Sequence, residues 1–341
     1  MNKNFFITCK NEIDKKVDDI LDKEIEKYLD NEFIKNSLEE LKRLSKGGKR
    51  VRGYLVKLGQ MLFGKDDDSY VDIAAAIEIF QTAILIHDDI IDEADKRRGM
   101  DTINSKYPGH IGIAKAICIG DLGFFISYRI INNSLISKEL KDEIIKIYSK
   151  TLHNTVNGEI VDVELPLKDL NYHKNMSEKI IYDIYVNKTA WYTIIGPVLI
   201  GAASAGASND DKDKLINMGI NLGIAFQIKD DLLGLYSNVN DMGKTLNDIK
   251  EGKQTIIYKY AIDHASKKDL DLIKKYYGNS SITEKESNII KCLFEKLGAR
   301  KNAEELVEEY TNRGIEIINS MNIKNKDLFI SFADYLLNRE K

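Results

Sequence analysis

The chain has 341 residues, of which 43% are hydrophobic and 30% charged, a composition that excludes both a disordered chain and one dominated by membrane. Fifty Lys and Arg against 54 Asp and Glu leave a net charge of −4, which excludes a whole-chain basic surface for nucleic acid. The three cysteines (Cys9, Cys118, Cys292) form no CxxC, so a reducing cytoplasm fits and a disulfide framework or zinc site does not.

Only three prolines occur, and because proline breaks helices their scarcity favours an all-α protein. At the N-terminus charge arrives before any useful apolar run, so no signal peptide is expected. Ile13, Val17, Ile20, Leu21, Ile25, Tyr28 and Leu29 recur at steps of three and four, the stripe of an amphipathic helix. Breaks are expected at Lys46–Gly48 and Gly64–Ser69. Residues 71–92 are apolar on most sides and then end in acids, which predicts a buried helix whose last turn faces a polar cavity. A break follows at Arg98–Gly109. The segment 161–165 alternates as a strand does, but no hairpin partner accompanies it. Ala190–Ser208 carries no charge, yet its glycines, serines and Pro197 predict a buried central helix kinked at the proline rather than a membrane span. Residues 214–233 repeat the design of 71–92, an apolar helix ending in acids. Further breaks are expected at Ser208–Asp213, Ser237–Gly243 and Gly278–Thr283. No linker or repeat interrupts the chain, so residues 1–341 read as one domain: an all-α, single-domain helical bundle around a central apolar cavity.

Asp88 and Asp92 stand at i and i+4 and project from one helix face, with Asp89 turned about 100° away. Carboxylates at a helix C-terminus oppose the helix dipole, so a solvated helix end explains them poorly. An all-oxygen donor set suits Mg²⁺, which completes its shell with water and substrate phosphates. Gln227, Asp230 and Asp231 form a second cluster of the same kind, and the two helices could face each other across one cavity. Cations lie near both in sequence: Lys49, Arg50 and Arg52 after Gly47–Gly48, Arg97 and Arg98, Lys188 before Thr189, then Lys244 and Lys253 flanking Asp248. Such a set suits diphosphate. No P-loop pattern is present. A plain surface loop for residues 47–52, and a salt bridge from Arg97 or Arg98 to Glu93 or Asp95, remain open.

LIHDDIIDEADKRRG followed by FQIKDDLLG resembles the two aspartate-rich motifs of the trans-isoprenyl diphosphate synthases (polyprenyl synthetases), most closely the short-chain farnesyl and geranylgeranyl type. The ordered set GGK-x-x-R, DDxxD-x4-RRG, G-x3-D, KT, FQxxDD and GK-x3-D-x4-K extends the likeness from about Gly47 to Thr255. It implies a prenyltransferase that joins isopentenyl diphosphate to an allylic diphosphate (dimethylallyl, geranyl or farnesyl), works with three Mg²⁺ ions and forms a cytoplasmic homodimer, without nucleic acid or a membrane span.

The resemblance also implies roles. Lys49, Arg52, Gln81 and Arg98 contact isopentenyl diphosphate. Arg97, Lys188, Thr189, Gln227, Lys244 and Lys253 serve the allylic substrate. Asp88, Asp89 and Asp92 hold metal, as do Asp230 and Asp231, and Tyr192 lies near the reacting carbons. Two departures stand out: Gly234 replaces the third aspartate of the second motif, and Glu159 replaces the glutamine before Asp162 in GQxxD. His87 reads as structural.

The chemistry implied is ionisation of the allylic diphosphate, stabilised by metal and cations, then attack by the isopentenyl double bond in a dry cavity. Ala83 and Ile84 make no large stop below Asp88. Phe80, one turn further back, is the expected floor, implying a product of about twenty carbons on a turn of ~5.4 Å. The alternative is that Phe80 packs into a neighbouring helix and Phe124 or Phe125 closes the tunnel. Fifteen-carbon or longer products are alternatives too, as are a terpene cyclase of the same fold and a non-catalytic partner subunit. The intact Asp88, Asp89 and Asp92 and the second diphosphate set weigh against the last two.

Overall fold

The computed structural model describes residues 3–236 and 247–337. The described residues are mostly helical, and their strands are the two-residue pair Lys96–Arg97 and Met100–Asp101. Two compact units divide the chain. One comprises Met1–Ser149, Pro197–Asn209 and Ile323–Phe329, and the other Lys150–Gly196, Asp210–Asn322 and Ile330–Lys341.

The first unit contains α1 (Lys3–Glu26), α2 (Glu32–Ser45), α3 (Val51–Leu62), α4 (Val71–Ile91), α5 (Ile103–Lys106) and α6 (His110–Asn133), with α4 packed by α1, α2, α3 and α6. Ile13, Val17 and Leu21 of α1 are fully buried, as their spacing predicts, whereas Leu29 falls beyond the helix and is exposed. α4 is buried from Ile73 to Ala83 and opens only in its last turns, where Ile84, His87 and Asp88 are half-buried. Small residues bring its neighbours close. A Cβ on Gly123 of α6 would lie 2.9 Å from the Ala83 Cβ, so the two helices meet at that point without side chains between them. α4 and α6 are both long and apolar enough to cross a membrane, but 72% of the α4 window is buried against 39% of that of α6. Ile111, Ile117, Phe125 and Tyr128 of α6 are exposed.

α7 (Lys138–Glu164) runs from the first unit into the second. Residues 161–164 of the alternating segment are its last turn, and Leu165 opens the 3₁₀ turn Leu165–Leu167 that follows. Alternation without a partner strand leaves backbone groups unpaired, and continuing the helix satisfies them. α8 (Leu170–Asn175) and α9 (Lys179–Ile184) follow. The expected kink at Pro197 takes another form: residues Tyr185–Ile195 are π-helical before α10 (Gly196–Ser204). Proline offers no N–H, which bears on the last of these turns only, and π-helical turns recur at functional sites. α11 (Asn209–Tyr236) is longer than the expected 214–233. Later helices span Asn247–Glu251, Ile256–His264, Lys267–Tyr276, Glu284–Lys296, Ala299–Ser320 and Lys326–Leu337. The core of the second unit includes Ile181, Tyr185, Ile228, Ile256, Ile257 and Phe294.

Candidate active site

The acids that end α4 are met by a hairpin. Lys96–Arg97 pairs antiparallel with Met100–Asp101 across a two-residue loop, Arg98–Gly99. Both loop residues have positive φ, 53° and 76°, as a turn matching the twist of a short hairpin requires. The tripeptide Arg-Arg-Gly therefore encodes a reversal that returns Arg97 to α4. Its Nε donates to Asp89 Oδ1 at 2.7 Å and its Nη2 to Asp88 Oδ2 at 2.8 Å. Burial opposes the charge on Arg97, but Asp88 and Asp89 outweigh it and raise its pKa, with Asp92 adding to them. Asp92 caps the helix and is half-buried. The salt bridge left open for Arg97, to Glu93 or Asp95, is thus replaced by one to Asp88 and Asp89, which the sequence reading did not name as its partners.

The loop at residues 46–50 is not a plain surface loop. Arg50 has a left-handed backbone (φ 55°) and a buried guanidinium that donates to Asp14 Oδ1 at 2.6 Å and lies 3.5 Å from Glu78. Glu78 in turn accepts from the Gly53 N–H at 2.8 Å. Lys49 remains exposed, Arg52 is half-buried, and Arg98 donates to the Lys46 carbonyl at 3.2 Å. Burial, then the nearby guanidiniums of Arg50 and Arg97, push the Arg98 pKa down, with Arg52 contributing. Gln81 is buried on α4, and its carbonyl oxygen has no hydrogen-bond partner among the described residues. His87 is held by α6, with Nε2 3.2 Å from the Ile117 carbonyl and its ring edge-on to Phe124.

In the second unit the acids divide their partners. Lys188 donates to Asp162 at 2.6 Å and to Glu159 at 3.1 Å, and Lys253 donates to Asp162 at 3.1 Å. Burial pushes the Asp162 carboxyl up, but Lys188 and Lys253 outweigh it and hold it below the ordinary range. Gly158 lets the backbone at Lys188 approach: a Cβ there would lie 2.2 Å from the Lys188 backbone nitrogen. Asp231 is buried and has neutral partners. Tyr185 donates to its Oδ2 at 2.5 Å and Gln227 to its Oδ1 at 2.9 Å. The Thr189 hydroxyl donates to Gln227 Oε1 at 2.5 Å. Burial first, with Asp248 adding, pushes Asp231 up to about 7 against the lowering effect of the Tyr185 bond.

The two departures have physical counterparts. Glu159 is a second carboxylate on Lys188. At Gly234 a Cβ would lie 2.3 Å from Asp248 Oδ2, so Asp248 stands where a side chain at position 234 would begin. Asp230 and Tyr192 are half-buried, and Lys244 lies outside the described residues. Among the described residues no three His, Cys, Asp or Glu side chains gather into a metal cage. The all-oxygen sets at Asp88, Asp89 and Asp92 and at Asp230 nevertheless fit Mg²⁺, which takes one or two carboxylates and fills its shell with water and phosphate. Asp231 fits such a role less well, because both its oxygens already accept.

Three features were not anticipated from the sequence: Tyr185, the Arg50–Glu78 pair and the position of Asp248. A tyrosine three residues before Lys188 looks like any core aromatic. The GK-x3-D spacing was the one signal available for Asp248.

Residues 32–296 match the family described as Polyprenyl synthetase. The chain is 30% identical over 325 residues to a geranylgeranyl diphosphate synthase of Sulfolobus acidocaldarius, covering 94% of each. It is 31% identical over 275 residues to a short chain isoprenyl diphosphate synthase of Methanocaldococcus jannaschii, covering 80% of each. Among solved structures it resembles a geranylgeranyl pyrophosphate synthase of Corynebacterium glutamicum, determined with isoprenyl diphosphate and magnesium. The TM-score is 0.87 at 26% identity, covering 96% of this chain and 97% of that one.

Proposed function

We propose a specific reaction for this chain, which belongs to the polyprenyl synthetase family and is a prenyltransferase: it joins isopentenyl diphosphate to an allylic diphosphate and releases geranylgeranyl diphosphate. The observation that carries the reading is the pairing of Arg97 with Asp88 and Asp89, beside the guanidiniums of Arg50, Arg52 and Arg98. Acids for a hard cation and forked donors for phosphate oxygen stand together there. Relatives named geranylgeranyl diphosphate synthase support the product.

Asp88, Asp92 and Asp230 are the proposed ligands of Mg²⁺, three ions in all, with Asp89 in support and Asp231 behind Asp230. When bound, Mg²⁺ supplies positive charge for a departing diphosphate. Arg97, Lys188 and Lys253 bind the allylic diphosphate, with Lys244 assigned to the same task. Lys49, Arg52, Arg98 and Gln81 bind the isopentenyl diphosphate. The allylic C–O bond breaks and its electron pair leaves with the diphosphate. The Thr189 oxygen, the Gln227 amide oxygen and Tyr192 offer dipoles to the cation that remains. The isopentenyl double bond then forms the new C–C bond, and the released diphosphate takes the proton.

Residues 1–341 are read as one functional domain, supported by a family match that runs through both compact units. The exposed apolar residues of α6 support a homodimer that covers them, and the free cysteines are compatible with the cytoplasm. The test is incubation with Mg²⁺, isopentenyl diphosphate and each allylic diphosphate, followed by mass spectrometry. A twenty-carbon diphosphate is expected. A cyclic hydrocarbon or no product overturns the reaction.

A further inference from the structure

The Thr189–Gln227 pair is controlled from behind. Gln227 donates its amide N–H to Asp231 Oδ1 at 2.9 Å, and its carbonyl oxygen accepts from the Thr189 hydroxyl at 2.5 Å. A primary amide can take either orientation, and its partners choose. An ionised carboxylate only accepts, so Asp231 demands the NH₂ end of Gln227 and turns the oxygen toward Thr189. The other oxygen of Asp231 is occupied by the Tyr185 hydroxyl at 2.5 Å. Tyr185 is itself fixed, because its oxygen accepts the Ile256 N–H at 2.9 Å. That N–H belongs to the first turn of helix Ile256–His264, where backbone donors have no helical partner. The tyrosine hydroxyl thus has one direction left for its proton, and it points at Asp231.

We infer that Tyr185 is a positioning residue, acting through Asp231 to hold the Gln227 amide with its oxygen toward Thr189. The inference rests on the reading above that Thr189 and Gln227 face the reacting carbons. It adds the group that sets their orientation, and it uses no metal. Within the π-helical turn Tyr185–Ile195, Tyr185 and Thr189 act on the two ends of one amide, so the backbone of a single segment sets both.

The experiment is a double-mutant cycle at pH 8 with saturating Mg²⁺. Tyr185→Phe is expected to lower kcat roughly tenfold, the size of one orienting hydrogen bond, with KM for isopentenyl diphosphate unchanged. In a Gln227→Ala background Tyr185→Phe is expected to have no further effect on kcat. Asp231→Asn is the second variant and covers the case in which Tyr185→Phe does not fold. Asparagine keeps every hydrogen bond if its oxygen takes the Tyr185 proton and its NH₂ faces Gln227, which reverses the Gln227 amide. It should therefore fold with a Tm no lower than that of the wild type and keep the wild-type Mg²⁺ dependence while losing kcat. Wild-type kcat in both variants, or additive losses with Gln227→Ala, overturns the inference. So does a fall in Tm at wild-type kcat. Absence of chain elongation by the wild-type protein overturns the reaction instead, so the two failures are distinguishable.

Discussion

The ends of α4 and α11 carry the same sequence idea, two adjacent aspartates after an apolar run, and the structure treats them oppositely. Asp88 and Asp89 meet a full positive charge, Arg97, delivered by a hairpin within ten residues. Among the described residues Asp231 meets only neutral donors, while the cations Lys188 and Lys253 go to Glu159 and Asp162. Buried charge is tolerated when paired and is costly otherwise. The first cluster is thus an ion-paired device, already neutralised in part before substrate arrives. The second is a hydrogen-bonded device, holding an acid whose ionisation burial opposes. Identical residue types at identical spacing do not fix electrostatics; the partner that the next element delivers does.

The largest expected effect breaks the first cluster. Asp88→Ala should lower turnover by about 10²–10³, since one group directed at charge developing in the transition state is commonly worth ~3 kcal/mol or more. The fold should persist, because Arg97 keeps Asp89. Steady-state kinetics with a far-UV circular dichroism control measures both. Wild-type turnover at saturating Mg²⁺ would remove Asp88 from the metal set.

The second cluster is tested by pH in metal-free protein. The folded pKa of Asp231, about 7, lies above its unfolded value near 3.8. The stability it contributes is therefore full below the unfolded pKa and is lost as pH rises through the folded one. The asparagine of an Asp231→Asn variant imitates the protonated acid. Wild-type and Asp231→Asn proteins should unfold at similar urea concentrations at pH 3.5, and the variant should gain on the wild type up to pH 8. Roughly three pKa units correspond to a gap on the order of 2–4 kcal/mol. Asp162 has the opposite sign, since its folded pKa is depressed, and its contribution is present above the unfolded pKa and lost as pH falls through the folded one. Parallel curves for the two proteins would show that Asp231 ionises without penalty.

Arg52→Ala sharpens the comparison from the side of the cations. Arg52 is assigned to isopentenyl diphosphate alone, and a charge-assisted contact is worth ~1.5–3 kcal/mol. KM for isopentenyl diphosphate should rise about 10- to 100-fold, with little change for the allylic substrate. A rise confined to the allylic KM would exchange the two assignments.

Much of this was legible because helices announce themselves. The expected helix at 71–92 is Val71–Ile91, and α11 contains all of 214–233. The hairpin at residues 96–101 was not legible, since strands of two residues carry no period. The alternation at 161–165 carried no strand, as its lack of a partner strand already indicated, because alternation is informative only where a partner exists. The site was legible as residue types and order. What escaped was pairing: that Asp248 stands against Gly234, or that Tyr185 caps Asp231 from 46 residues away, follows from tertiary packing.

Product length is the smallest expected effect, and it is tested on α4. Phe80 is buried, with its ring 5.7 Å from Phe124 of α6 and 5.2 Å from Tyr148 of α7. Tyr148 donates to Ser127, which donates to the Ala76 carbonyl, so the Tyr148 ring is tied through α6 to α4. Phe125 is 72% exposed and is no part of this cluster. We propose the trio as the floor that stops the growing chain, which combines the two closures expected from sequence. Phe80→Ala removes one ring and about one turn of wall, ~5.4 Å, close to one isoprene unit. The product should lengthen by about one unit on that geometry. The loss of a buried ring also costs ~3–5 kcal/mol of stability, so the assay belongs well below the variant's Tm. Shortening is best sought at Ile84, which is half-buried, because a phenyl ring at Ala83 would collide with α6 at Gly123. Ile84→Phe should shift the product toward farnesyl diphosphate. If Phe80→Ala and Ile84→Phe both leave the mass spectrum of products unchanged, chain length is set elsewhere than along this face of α4.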